Sequence, residues 1–142
     1  MQTYGSWITM SHVLIPEIMS QAGFDWMCID MEHSSIELGD LLHLIISVEN
    51  KGMVPLVRVG ENNSNLIKRV MDTGANGVIV PNVNSADEAI AAVNAVKYPP
   101  IGTRGVGLAR AQNWGNSFES YKDEVDPNTL LIAQIEHQLG GE

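Results

Sequence analysis

The chain has 142 residues, of which 44% are hydrophobic and 18% are charged, and its formal net charge is −9 at pH 7. This length and composition are typical of a globular domain with a hydrophobic core, so we predict a single domain over residues 1–142. The acidic charge, without any basic cluster, argues against a nucleic-acid partner, and no apolar run is long enough to span a membrane.

Predicted strands and helices alternate along the chain. The predicted strands are Tyr4–Met10, the stretch Trp26–His33, Val54–Val59, Gly77–Asn82 and Thr129–Glu136. The predicted helices are Val13–Ala22, Leu41–Lys51, Asn65–Asp72, a segment from Ser85 to about Lys97, and the short Phe118–Val125. This alternation predicts an α/β fold with a parallel sheet and helical crossovers.

The stretch Trp26–His33 organises the rest of the prediction. Its apolar run includes Cys28 and ends in Asp30, Glu32 and His33. A short run of this kind is typical of a strand buried on both faces, and the polar groups at its end need partners or a function. We expect Cys28 to be a small buried hydrophobe, and a single cysteine suits the cytoplasm.

Three later strands also carry polar residues at their carboxyl ends. These residues are Arg58, then Asn82, and finally Gln134 and Glu136. In a parallel sheet all these ends lie on one side, and in a (β/α)₈ barrel that side carries the active site. The pattern therefore predicts a candidate site there, although polar strand ends in contact with solvent are a simpler explanation for one or two of them.

Two of these residues have alternative interpretations. Arg58 either pairs structurally with Asp30 or Glu32, or it binds a substrate carboxylate. Glu136 is either a solvated strand end or, together with Gln134 two residues before it, part of a site for a divalent cation.

Two further features lie outside the strand ends. Asp72 falls near the end of a helix, where the helix dipole disfavours an anion, so it needs a compensating group such as a histidine. The turn Arg104-Gly105-Val106-Gly107 resembles an anion-binding turn, although short glycine-rich turns are common.

Five segments carry a resemblance to a known family. They are AGFDWMCIDMEHS (Ala22–Ser34), PLVRV (Pro55–Val59), LIKRVMDTGANGVIVPNV (Leu66–Val83), YPPIGTRGVG (Tyr98–Gly107) and QIE (Gln134–Glu136). In this order they resemble the HpcH/HpaI class II aldolases, such as 2,4-dihydroxyhept-2-ene-1,7-dioate aldolase. The resemblance implies a (β/α)₈ TIM barrel of the phosphoenolpyruvate/pyruvate type, of which this chain covers about five βα units.

The resemblance implies cleavage of a 4-hydroxy-2-oxo acid to pyruvate and an aldehyde through a metal-stabilised enolate. It implies that His33 is the general base and that Asp72 orients it. Arg58 would bind the oxo acid and stabilise the enolate, while Asp30 and Glu32 would support the site or a subunit interface.

The remaining implied roles concern the cation and the substrate carboxylate. Glu136 would bind a divalent cation (Mg²⁺, Mn²⁺ or Co²⁺) with a second carboxylate from beyond residue 142, and Gln134 would line that site. The turn with Arg104, Gly105 and Gly107 would shape the end of the site that binds the substrate carboxylate.

The resemblance also implies a homo-oligomer with a small-molecule substrate. Two alternative functions remain at this point. One is a non-catalytic, truncated barrel fragment that acts only by association, and the other is a related lyase acting on a CoA thioester.

Overall fold

A computed structural model of the chain describes residues 2–141. Met1 and Glu142, the ends of the predicted domain, lie outside the described residues. The strands are β1 (Gly5–Ile8), β2 (Trp26–Asp30), β3 (Val54–Arg58), β4 (Gly77–Val80) and β5 (Leu130–Ala133). The crossover helices are α1 (Leu14–Ser20), α2 (Leu38–Asn50), α3 (Ser64–Asp72) and α4 (Ala86–Val96).

The strands form one parallel sheet in the order β1-β2-β3-β4-β5, which confirms the predicted α/β class. Each of the first four strands is followed by a helix that returns the chain to the start of the next strand. All carboxyl ends of the strands therefore lie at one edge of the sheet, which we call the carboxyl edge.

Capping explains where the helices begin. The side chain of Asn63 accepts a hydrogen bond from the N–H of Leu66 at 3.0 Å, so α3 begins at Ser64, one residue before the predicted start. Helix α2 begins at Leu38, three residues before the predicted start, because Glu37 is its N-cap and Asp40 accepts the Glu37 N–H at 3.2 Å. Asp40 is therefore the third residue of the helix.

The two faces of the sheet have different surroundings. Alternate residues such as Ile29, Val57 and Val78 pack against the helices in the main hydrophobic core. The other face carries Cys28 and Leu56, followed in register by the Asp30–Arg58 pair. On this inner face, side chains farther from the centre are exposed, with Trp7 at 42%, Leu130 at 51% and Ile132 at 42%.

A glycine allows close approach between β4 and β5. An added Cβ at Gly77 would lie 2.7 Å from the Cβ of Leu130 and 2.7 Å from its carbonyl oxygen. A larger residue would push the two strands apart, so this position fixes the spacing of the sheet next to its last strand.

The chain between α4 and β5 is irregular. It contains a 3₁₀ segment over Arg110–Gly115, which the sequence did not predict, and helical turns over Phe118–Val125, where a short helix was predicted. Asn113 and Trp114 have φ values of +49° and +51°. Within residues 2–141, no helix is both long and apolar enough to cross a membrane.

Candidate functional site at the carboxyl edge

Arg58 is held at the carboxyl edge by two acidic residues. Its Nε and Nη2 donate to the two carboxylate oxygens of Asp30 at 2.9 and 2.7 Å, and Nε lies 3.2 Å from Oε2 of Glu32. The guanidinium also lies over the ring of Trp7, 4.6 Å from its centroid. The side chain is only 14% exposed, so its orientation is fixed by these contacts.

Asp30 connects Arg58 to the loop that follows β2. Its Oδ1 also accepts the backbone N–H groups of Glu32 and His33 at 3.0 and 3.2 Å. Burial by itself raises the pKa of Asp30, but the hydrogen bonds from Arg58 and from these N–H groups outweigh it and lower the pKa below its ordinary value. The hydrogen bonds that Arg58 donates to Asp30 also raise the pKa of the Arg58 guanidinium.

His33 has a fixed backbone and an exposed ring. Its side chain is 71% exposed, and Nε2 lies 3.7 Å from Oε1 of Glu32. Oε2 of Glu32 is buried and accepts no hydrogen bond from the described residues, but it forms the ion pair with Nε of Arg58, while Oε1 faces His33. Four of the predicted residues, Asp30, Glu32, His33 and Arg58, therefore form one contiguous group, which we call the carboxyl-edge cluster.

Glu136 lies at the same edge, beyond the end of β5. Its Oε2 accepts the backbone N–H of Asn82 at 2.9 Å, which joins it to the loop after β4. Gln134 pairs through its backbone with Val80 and Val83, and its side chain is half-buried.

The oxygen donors of Glu136 and Gln134 are of the type that Mg²⁺ or Mn²⁺ prefers. Magnesium is commonly bound through one or two carboxylates, with water and substrate as the other ligands. Among residues 2–141 there is no group of three His, Cys, Asp or Glu side chains that could hold a metal ion. Glu136 therefore fits as one oxygen ligand of a cation whose coordination would be completed by groups other than a cluster of such side chains from residues 2–141.

Asp72 does not orient His33 within this chain. As the last residue of α3, it lies near the start of β4, whereas His33 follows the carboxyl end of β2. Asp72 instead faces Arg104, with Oδ1 3.8 Å from Nη2. Burial raises the pKa of Asp72 in spite of the attraction of Arg104 and Lys68.

Arg104 is also far from the carboxyl edge. Its side chain is fully buried, donating to the hydroxyls of Tyr98 and Tyr121 at 2.8 and 3.1 Å and to the carbonyl of Val96 at 3.1 Å. Val96 ends α4 at the amino end of the sheet, so the structure does not bring Arg104 together with Arg58 and His33 within one chain. We call this group of side chains, Arg104 with Tyr98, Tyr121, Asp72 and Asp126, the amino-end cluster.

The two glycines of the predicted turn lie beside α3 rather than near Arg58. An added Cβ at Gly107 would lie 3.2 Å from Oδ2 of Asp72, and one at Gly105 would lie 3.9 Å from Lys68. Gly107 therefore lies beside the Asp72 that faces Arg104, whereas Gly105 and Arg104 border a pocket with Ser64 at the start of α3.

Two residues at the carboxyl edge were missed as site residues by the sequence analysis. Trp7 was assigned only to a strand, and no pattern in the sequence indicates that its ring covers Arg58. Asn82 was noted as a polar strand end, but its positive φ of 54° and its bond to Glu136 depend on tertiary structure.

A parallel α/β sheet with charged residues gathered at its carboxyl edge is the arrangement of the (β/α)₈ barrel enzymes. The sequence pattern of the HpcH/HpaI aldolase/citrate lyase family matches residues 3–141. The chain therefore belongs to that family, and its strands and helices correspond to about five βα units of the family's barrel.

Similar proteins with known names support the same assignment. The chain is 41% identical over 133 residues to 2-dehydro-3,6-dideoxy-6-sulfogluconate aldolase of Pseudomonas putida, covering 93% of this chain and 52% of that protein. It is 39% identical over 134 residues to 2-keto-3-deoxy-L-rhamnonate aldolase of Klebsiella pneumoniae, covering 93% of this chain and 50% of that protein. The chain thus spans about half the length of these curated relatives.

A solved structure has the same fold. A HpcH/HpaI aldolase/citrate lyase family protein from Burkholderia cenocepacia superposes with a TM-score of 0.89 at 30% sequence identity. The superposition covers 97% of this chain and 56% of that chain.

Proposed function

We propose that this chain is part of a metal-dependent aldolase that cleaves 4-hydroxy-2-oxo acids to pyruvate and an aldehyde. The observation that carries the proposal is the fixed Arg58 beside His33 at the carboxyl edge. A guanidinium has five N–H groups, and Asp30 accepts only two of them, so Nη1 of Arg58 remains able to donate to an oxo acid.

The proposed reaction begins with removal of the proton from the C4 hydroxyl by His33. The C3–C4 bond then breaks, the aldehyde leaves, and the electron pair of the broken bond forms the pyruvate enolate. Arg58 stabilises the negative charge that develops on the C2 oxygen, and its rigid attachment to Asp30 avoids reorganisation at that moment. Return of the proton from His33 to C3 of the enolate completes pyruvate and restores the neutral imidazole.

Glu32 has a supporting role in this proposal. Its carboxylate lies between Arg58 and His33, so it stabilises the imidazolium that forms when His33 accepts a proton. A divalent cation held by Glu136 would supply Lewis-acid stabilisation of the same oxygen. We further propose that the second carboxylate ligand lies beyond residue 142.

Pyruvate release from a racemic 4-hydroxy-2-oxo acid, coupled to lactate dehydrogenase, tests this function. We expect activity with Mn²⁺ in the complete gene product, and its loss with EDTA. Arg58→Lys should lower kcat/KM by about 10²–10³-fold, because a lysine cannot keep both bonds to Asp30 while donating to the enolate. Arg69→Lys, at an exposed arginine of α3, is the matched control.

The contrary result is a folded, Mn²⁺-binding protein without pyruvate release from any 4-hydroxy-2-oxo acid. Since the matched family also includes citrate lyases, the same preparation would then be assayed with a CoA thioester. Activity there would replace the aldolase proposal with the lyase alternative.

The proposal that the protein acts only by association is favoured by one observation. The inner face of the sheet exposes Trp7, Leu130 and Ile132, so a chain limited to these residues would offer an apolar surface to a partner. Assaying residues 1–142 beside the complete gene product separates the cases. Activity in the complete product alone means that the site needs residues outside this chain, and activity in both means that assembly completes it, as a homo-oligomer would.

A further inference from the structure

The pairing between β4 and β5 shifts by one residue just past the end of β4. The N–H of Gln134 donates to the carbonyl of Val80 at 2.9 Å, so a regular parallel ladder would continue with Asn82 donating to the carbonyl of Gln134. Instead, Val83 makes that bond at 3.1 Å. The chain that continues β4 therefore has one extra residue opposite Gln134, which is the geometry of a β-bulge.

The bulge redirects one backbone N–H group. Asn82 has a φ of +54°, a left-handed conformation that non-glycine residues seldom adopt and that asparagine tolerates best. Its N–H, released from the ladder, donates to Oε2 of Glu136 at 2.9 Å. The side chain of Asn82 is exposed, so core packing does not account for this conformation.

The carbonyl of Asn82 is also held. The side-chain amide of Asn84 donates to it at 3.1 Å, and the N–H of Asn84 donates to Oε2 of Glu88 at 2.7 Å. Glu88 lies in the first turn of α4, where its own N–H is capped by Ser85 at 3.2 Å. The bulge is therefore anchored to the start of a helix, and both peptide groups of Asn82 have assigned partners.

We propose that Asn82 is a positioning residue that orients the Glu136 carboxylate for cation binding through its redirected N–H. This role rests on the proposed function, since it assumes that Glu136 is a cation ligand. Glu136 is exposed and lies beyond the last strand, so few other contacts restrict its rotamers. Holding Oε2 fixes the plane of the carboxylate and leaves Oε1 to face a cation. Hydrogen-bond partners of metal ligands commonly change metal affinity by 10–100-fold.

Substitutions that change the backbone preference at residue 82 test the role. Asn82→Val disfavours the left-handed conformation, and we expect it to weaken Mn²⁺ binding by about tenfold. Asn82→Gly keeps both the conformation and the N–H, so its dissociation constant should stay within about twofold of the parent value. Mn²⁺ affinity is measured by calorimetry or electron paramagnetic resonance on the complete gene product without substrate.

Asn113 offers a matched control. It is an exposed asparagine with a φ of +49°, in the 3₁₀ segment after α4 and away from Glu136. Asn113→Val introduces the same local strain, so it should lower the melting temperature as Asn82→Val does while leaving Mn²⁺ affinity unchanged. If Asn82→Val does not fold, the pair Asn82→Ala and Asn113→Ala carries the same comparison with less strain.

Each outcome has a distinct meaning. Equal Mn²⁺ affinity in the parent and in Asn82→Val overturns the positioning role alone, and so does equal weakening by Asn113→Val. A parent protein that binds no Mn²⁺ overturns the cation site of the proposed function, and the positioning role with it. Weakening by Asn82→Val, with recovery in Asn82→Gly, supports the role.

Discussion

The carboxyl-edge cluster and the amino-end cluster each contain an arginine facing an aspartate, but the two pairs differ in geometry. Arg58 donates two hydrogen bonds to Asp30, the shorter being 2.7 Å, whereas Nη2 of Arg104 lies 3.8 Å from Oδ1 of Asp72. Arg104 already donates to two tyrosine hydroxyls and a backbone carbonyl. An arginine whose N–H groups are already bonded to other acceptors thus forms only a looser ion pair with its neighbouring aspartate.

The protonation of the two aspartates shows the same difference. Direct bonds overcome the burial of Asp30, so its pKa falls, whereas at Asp72 burial prevails and the pKa rises. The first pair stabilises the ionised form of its acid. In the second pair, Oδ1 of Asp72 is buried and accepts no hydrogen bond from residues 2–141, so the ionised acid has less support. We infer that the first pair serves the reaction and the second serves the fold.

Arg104→Met should have the largest effect on stability. It removes the donor from two buried tyrosine hydroxyls and leaves the nearby Asp72 and Asp126 uncompensated, so we expect a loss of about 3–5 kcal/mol in urea unfolding. The folded fraction should keep its KM for the oxo acid. A variant with unchanged stability and a raised KM would instead support the substrate-binding role that the sequence resemblance implied for Arg104.

Asp30→Asn should lower the free energy of unfolding by about 2–3 kcal/mol near pH 7, because an amide loses the charge-assisted bonds with Arg58. Since the pKa of Asp30 is lowered by folding, its stabilisation is complete above the ordinary pKa of about 3.9 and disappears as the pH falls through the lowered value. Unfolding curves between pH 3 and pH 7 measure this. Asp123→Asn, at an exposed aspartate, should differ little from the parent, and a constant difference across that range would contradict the assignment for Asp30.

Asp72→Asn should have the smallest effect and the opposite sign. Folding raises the pKa of Asp72, so the ionised group opposes folding at neutral pH, and the amide should stabilise the protein by about 0.5 kcal/mol. The stability difference between the variant and the parent should shrink as the pH falls through the raised pKa of Asp72. It should vanish below the ordinary pKa of aspartate, where the parent carboxyl is protonated in both the folded and the unfolded states. A loss of stability at neutral pH would mean that the attraction of Arg104 outweighs burial.

The sequence was sufficient to predict the fold and the side of the sheet on which the polar residues gather. Strand–helix alternation predicted all five strands and the four crossover helices, with boundaries that differ from the structure by a few residues. The carboxyl edge followed from Asp30, Arg58 and Glu136 alone, because parallel strands place their ends together.

Contacts between residues distant in the chain were not predictable in the same way. The sequence could not indicate that Arg104 would be enclosed by Tyr98 and Tyr121, since a glycine-rich turn is equally compatible with an exposed anion site. It also could not locate the bulge at Asn82, because a bulge depends on how β4 pairs with a strand about fifty residues later. Nor could the sequence indicate that, within one chain, Asp72 lies near the start of β4 whereas His33 follows the carboxyl end of β2.

Cys28 gives this molecule a built-in chemical reporter. It is the single cysteine of the chain, it lies on the inner face two residues before Asp30, and burial raises the pKa of its thiol to about 12. Alkylating reagents attack thiolates, so the native thiol should be inert, and its labelling rate would report transient separation of β2 from its neighbours. Any ligand that tightens the carboxyl edge should slow that labelling, which allows ligand discovery without knowledge of the substrate.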